Sequence, residues 1–110
     1  MATTKEYVEY VCEQIEGVGD IRFRKMFGEY MIYVNDKPIL LLCDNIVFVK
    51  MHDSIKELML DSETGVPYQG AKEHYILDTD NIQKARDVIH TLEPHVLVPK
   101  PKKKKTINAS

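Results

Sequence analysis

The run Ile21–Met51, IRFRKMFGEYMIYVNDKPILLLCDNIVFVKM, decides the fold. Ile21 and Phe23 alternate with Arg22 and Arg24, the period-two pattern of a strand with one buried face. Gly28 interrupts the pattern, and a strand-like stretch resumes from Tyr30 to Val34. Asn35-Asp36-Lys37-Pro38 reads as a turn, because Asn and Asp favour turn geometry and proline weakens strand pairing. Ile39–Cys43 is a wholly apolar strand, Asp44-Asn45 a two-residue hairpin turn, and Ile46–Met51 the returning strand. Links this short cannot join parallel strands, so an antiparallel meander is predicted, with strands over Ile21–Met26, Tyr30–Val34, Ile39–Cys43 and Ile46–Met51.

Helical patterns flank the meander. Thr3-Thr4-Lys5-Glu6 fits a capping box, with Thr3 at the cap and Glu6 three residues later. Val8, Val11, Cys12 and Ile15 then recur on one helical face, and Glu6, Glu9, Glu13 and Glu16 form an acidic stripe turned to water. Gly17-Val18-Gly19 ends that helix. On the other side, Ser54-Ile55-Lys56-Glu57 is a second capping box, opening a short helix with Ile55, Leu58 and Met59 inward. Asp61–Lys72, with Gly65, Pro67 and Gly70, reads as irregular, and Tyr75-Ile76-Leu77 as a short strand. Asp78–Asn81 caps a last helix in which Ile82, Ala85, Ile89 and Leu92 share a face, and Pro94 stops it. His95–Val98 reads as an extended segment along the body. This order predicts a two-layer α+β fold, an antiparallel sheet meander with helices packed on one face. The other face is left half exposed, as a place for a partner or a second subunit.

The chain has 110 residues, 44% hydrophobic and 29% charged, which suits one soluble domain able to bury a core without disulfide or metal staples. The formal charge of −2 conceals an asymmetry. Five lysines and no acid lie beyond Val98, so residues 1–98 carry −7. The reading is therefore an acidic domain over residues 1–98 and a basic tail over 99–110, which offers nothing to bury and is expected to be disordered. No apolar run is long enough to cross a bilayer, and MATTKEYVEY lacks the charge and apolar order of a signal peptide. A cytoplasmic protein without membrane association is the expectation, and with it two buried thiols, Cys12 and Cys43, in preference to a disulfide.

Lys25-Met26-Phe27-Gly28-Glu29-Tyr30, the following strand and polar turn, Leu41-Leu42-Cys43-Asp44 and Val47-Phe48-Val49-Lys50 together resemble the TfoX (Sxy) N-terminal domain family. Its hallmark is a Met-Phe-Gly-Gly/Glu-Tyr stretch followed by such a hairpin and a strand ending in lysine. Val66-Pro67-Tyr68 and Tyr75 also fit its pattern of Pro-Tyr before a Tyr-containing strand. The likeness spans residues 4–95. It implies a two-layer, secretion-chaperone-like α+β fold, a bacterial origin and a link to regulators of natural competence. Many regulators of this family carry a second, helical domain after the N-terminal one. This chain runs out in PKPKKKKTINAS, so the resemblance implies a stand-alone N-terminal domain. It carries no catalytic residues over.

For Met26, Phe27, Gly28 and Tyr30, the structural reading is core side chains around a glycine that permits a bulge or bend. The competing reading sets Arg22, Arg24 and Lys25 on one edge as an anion or nucleic-acid patch in an otherwise acidic body. Lys102, Lys103, Lys104 and Lys105 extend that option to the tail, as a polyanion arm or as plain solubilisation, without the aromatics that stack single strands. The glycines form neither dinucleotide nor P-loop fingerprints, and the histidines and cysteines have no metal-ligand spacing. His52-Asp53 tempts as a dyad, yet neighbours on a strand point to opposite faces. The resulting expectation is a non-catalytic regulatory or protein-interaction module without cofactor or metal. Its partner is a protein, of the transcription machinery or a second copy of the chain, with weak non-specific nucleic-acid binding besides. The alternatives are a nucleic-acid-associated accessory protein using Arg22, Arg24 and the lysine tail, and a small enzyme built on a pocket that no motif announces.

Overall fold

A computed structural model describes residues 3–26 and 29–98. Helix α1 (Lys5–Gln14) leads into strands β1 (Ile21–Met26), β2 (Glu29–Val34), β3 (Lys37–Cys43) and β4 (Ile46–Lys50). A 3-10 turn (Asp53–Ile55), short strands β5 (Thr64–Gly65) and β6 (His74–Ile76), helix α2 (Ile82–Leu92) and a second 3-10 turn (Glu93–His95) follow. The six strands form one antiparallel sheet in the order β1-β2-β3-β4-β6-β5.

The two hairpin turns are where the sequence speaks most directly. Asn35 and Asp36 have φ of 54° and 67°, and Asp44 and Asn45 have 57° and 60°. Positive φ at both central residues matches the twist of the flanking strands, and Asn and Asp adopt it at low cost. Each turn is also docked. The Asn35 side chain accepts from the Asp20 backbone N–H at 2.9 Å, and a Cβ on Gly19 would meet that same amide group at 2.8 Å. The Asn45 side chain accepts from the Thr4 N–H, while the Asn45 N–H donates to the Thr3 hydroxyl, both at 3.1 Å. That second contact corrects the reading of the first helix start. Thr4, whose hydroxyl accepts from the Tyr7 N–H, is the cap, and Thr3 is buried against the turn.

Cross-strand register sorts the sheet into two faces. Tyr30, Ile32 and Val34 of β2 align with Leu40 and Leu42 of β3, and these with Val47 and Val49 of β4. They form one buried cluster with Val8 and Val11 of α1, with Ile15 at its C-cap, and with Ala85, Val88, Ile89 and Leu92 of α2. Fully burying such side chains contributes about 1.5–3 kcal/mol each. The two-layer α+β expectation holds, with both helices on this face.

Several boundaries differ. Ser54 caps nothing: His52 takes that place, its Nδ1 accepting from the Ser54 N–H, and a 3-10 turn with further turns replaces the short helix. Ile55 and Met59 are buried there as expected, Leu58 half-buried. Thr64–Gly65 is a strand inside the segment read as irregular. β6 begins one residue before the predicted strand and ends before Leu77. Ile82, at the start of α2, is 43% exposed, and Val88 fills the helix face instead. A 3-10 turn takes up His95, the first residue of the segment read as extended; Val96 after it is extended and packs on the core, and Leu97 is 84% exposed.

Candidate functional site

Strand β1 ends the sheet, and among the described residues no strand lies on its outer side. The opposite edge, β5, is only two residues long. β1 therefore offers the one long row of unpaired backbone groups among the described strands, the usual template for strand addition. Phe23, expected in the core with Ile21, is 36% exposed instead, because an edge strand has cover on one flank only. It packs edge-to-face on buried Tyr30, with ring centroids 5.8 Å apart.

The three basic residues of this edge do not form one patch. Register places Arg22 beside Tyr33 and Arg24 beside Met31, on the face away from the helices. Lys25 stands beside Tyr30 and belongs to the helix face. Arg22 is also ion-paired with Asp36 of the neighbouring turn, whereas Arg24 and Lys25 are exposed and make no ion pair among the described residues. Arg22, Arg24 and Lys25 thus lie on one edge, as expected, but on its two faces, with Arg22 paired to Asp36. Met26 is half-buried at the sheet margin rather than in the core, and Tyr30 is a core residue. Phe27 and Gly28 lie outside the described residues, as do Lys102, Lys103, Lys104 and Lys105.

The face away from the helices carries Met31, Leu41, Cys43 and Phe48, aligned by the pairs Met31–Leu41 and Leu41–Phe48. Cys43 is buried and donates to the Glu29 carboxylate at 3.0 Å. Burial, then this bond, pushes its thiol pKa up to about 12. Cys12 of α1 is also a free thiol, raised by burial to about 11. Both thiols stay protonated near neutrality, so neither is built as a nucleophile. Among the described residues no three His, Cys, Asp or Glu side chains are grouped so as to hold a metal ion. His52 and Asp53 form no dyad, since the His52 Nδ1 is taken up by Ser54.

One further feature was not legible in the sequence. The register slips between Ile32 and Tyr33, making Ile39 the extra residue of a bulge in β3. β4 pairs with β3 only from Leu40 to Cys43, so Pro38 sits where β3 has β2 alone beside it. That is where a residue without an N–H fits a sheet. The gap beside Pro38 opens a groove of about 540 Å³ bordered by Leu92, His95 and Val96.

No described helix is long and apolar enough to cross a membrane. The chain is 36% identical over 109 residues to a protein of Spirochaeta aurantia described as an uncharacterized 12.7 kDa protein in the trpE 5' region, with 96% of this chain and 94% of the relative covered. The family model of the TfoX N-terminal domain matches residues 13–93, from the last two residues of α1 to just past the end of α2. With the antiparallel meander, its two hairpin turns and its helix layer in place, this chain belongs to the TfoX N-terminal domain family.

Proposed function

We propose that this TfoX N-terminal domain is a non-catalytic regulatory module of a bacterial cytoplasm that acts by binding another protein through the β1 edge. The observation that carries the proposal is the six-residue edge strand itself, open along its outer side among the described residues, with four exposed side chains. Cations at Arg24 and Lys25 favour an acidic, extended partner segment. They also disfavour a second copy at this edge. Two-fold pairing of β1 with itself, centred on Phe23, sets Arg22 against Arg24. Centring on Arg24 or on Lys25 sets that residue against its own copy, and like charges directly opposite are destabilising.

The same geometry gives less support to the nucleic-acid reading, because Arg22 is committed to Asp36 and the other two cations project to different faces. The test is capture of partners from a native-host lysate, with wild-type protein compared against Arg24→Glu/Lys25→Glu. Proteins retained by the wild type and lost with the variant support the reading. Identical capture by both contradicts it.

A further inference from the structure

The groove beside Pro38 has a chemical asymmetry that bears on a small ligand. One stretch is apolar: Met31, Leu41 and Phe48 lie side by side on three adjacent strands, roughly 10 Å across at ordinary strand spacing. At the other end stand Lys50, His52, His74 and His95, and among the described residues no carboxylate lines this groove. In a body carrying −7 over residues 1–98, with histidines counted neutral, the charge on this lining is the single positive one of Lys50. Glu29 borders an adjoining depression with Met26, which shares Leu41 and Tyr68 with the groove and lies beyond Leu41 from Lys50.

Hydrogen bonds fix what the two imidazoles on either side of Lys50 can offer. The His52 Nδ1 accepts from the Ser54 N–H at 3.0 Å, so in the neutral ring the proton sits on Nε2, which is a donor. The His74 Nδ1 lies 2.8 Å from the Lys72 carbonyl oxygen, which can only accept, so that nitrogen carries a proton. His74 also stands edge-on to Phe48, with ring centroids 6.4 Å apart, and His95 lies against His52 at 5.1 Å. A cation and an imidazole N–H therefore adjoin an apolar trough whose volume lies within the ~300–1,000 Å³ range of small-molecule sites.

We propose that this groove binds a medium-chain carboxylate, with the aliphatic chain along Met31, Leu41 and Phe48 and the carboxylate at Lys50 and His52. A long apolar tail alone would fit the trough but leave the basic end unused. A small inorganic anion would leave the trough wet. The amphipathic anion satisfies both ends.

The test is titration of the ¹⁵N-labelled full chain with decanoate below its micelle concentration, with decanol and decyltrimethylammonium as comparison probes. Saturable amide shifts centred on Leu41, Phe48, Lys50 and His52 are expected with decanoate, and weaker binding of both comparison probes. Lys50 is exposed at a strand end, so Lys50→Met should fold normally. It should weaken decanoate tenfold or more, equivalent to about 1.4 kcal/mol, while leaving decanol unchanged. Leu41→Trp should fill the trough and abolish both. Equal binding of all three probes, no saturable shift, or an unaltered decanoate affinity in Lys50→Met would overturn the proposal. So would groove shifts that appear on raising protein concentration alone, which would make a second copy the occupant.

Discussion

The Lys37 ammonium lies 2.8 Å from the Glu93 carboxylate and donates to the Glu93 carbonyl oxygen at 3.0 Å, tying the start of β3 to the end of α2. The hydrogen bond from Lys37 is the main cause holding the Glu93 carboxyl below its ordinary value of 4.5. A carboxyl depressed on folding stabilises the native state above its unfolded pKa, and that contribution is lost as pH falls through the folded value. Lys37→Met should therefore lower Tm slightly at neutral pH. The difference from wild type should shrink in acid below pH 4.5, as followed by thermal melts across a pH series.

The Asn45 turn separates conformational from hydrogen-bonding effects. Asn45→Gly keeps the left-handed backbone and loses only the acceptor for the Thr4 N–H, so a loss of about 1 kcal/mol is expected. Asn45→Ala adds the strain of φ 60° on a Cβ-bearing residue without a compensating side chain, for a total of about 2 kcal/mol. Urea unfolding of the two variants reads the difference directly, and equal losses would show that the turn conformation carries no cost.

Cys12 and Cys43 should resist alkylation at pH 8 in the native protein and react fully in denaturant, because burial raises both thiols above their ordinary value of 9. Folding retains protons that the unfolded chain gives up. Stability from this source is complete below pH 9 and declines as pH rises towards the folded values of about 11 and about 12. Cys43→Ser, exposing fewer thiols to this linkage, should flatten the alkaline decline.

What the sequence disclosed and what it hid follow from the range of the interactions involved. The two hairpin turns were legible because Asn and Asp favour positive φ locally, although the first was read as including Lys37 and Pro38, which belong to β3. The β3–β4 register follows from the second turn, while the bulge at Ile39 shifts that of β2 and β3. Helix α1 was legible from Val8, Val11 and Ile15, yet its cap was misplaced by one residue, because Thr3 is held by Asn45, 42 positions away. Phe23 alternates as a core residue should, and only the strand order shows that it lies at an edge. Ser54 matches a capping box locally, and the His52 ring displaces it. The separation of Lys25 from Arg24 was implicit in strand periodicity, while the pairing of Arg22 with Asp36 needed the hairpin. The groove depends on β4 leaving β3 beside Pro38, which no local pattern encodes.

Nucleic-acid binding, if it contributes, should come from the five lysines beyond Val98. Full-length protein should then bind duplex DNA only at low salt and without sequence preference, with a log–log salt slope no steeper than about −4 to −5. A chain ending at Val98 should lose that binding. Tight, sequence-selective binding that survives the truncation would return Arg22, Arg24 and Lys25 to first place as a nucleic-acid surface.

The β1 edge is best judged by partner capture from native-host lysate, quantified by mass spectrometry for three proteins: wild type, Arg24→Glu/Lys25→Glu, and the chain ending at Val98. Both altered proteins should show wild-type circular dichroism, since Arg24 and Lys25 are exposed and make no ion pair among the described residues. A partner retained by the wild type and by the truncated chain, but lost from the charge-reversed variant, is the expected result. Undiminished capture by the charge-reversed variant, or capture that depends only on the tail, would contradict the assignment of β1 as the interaction edge.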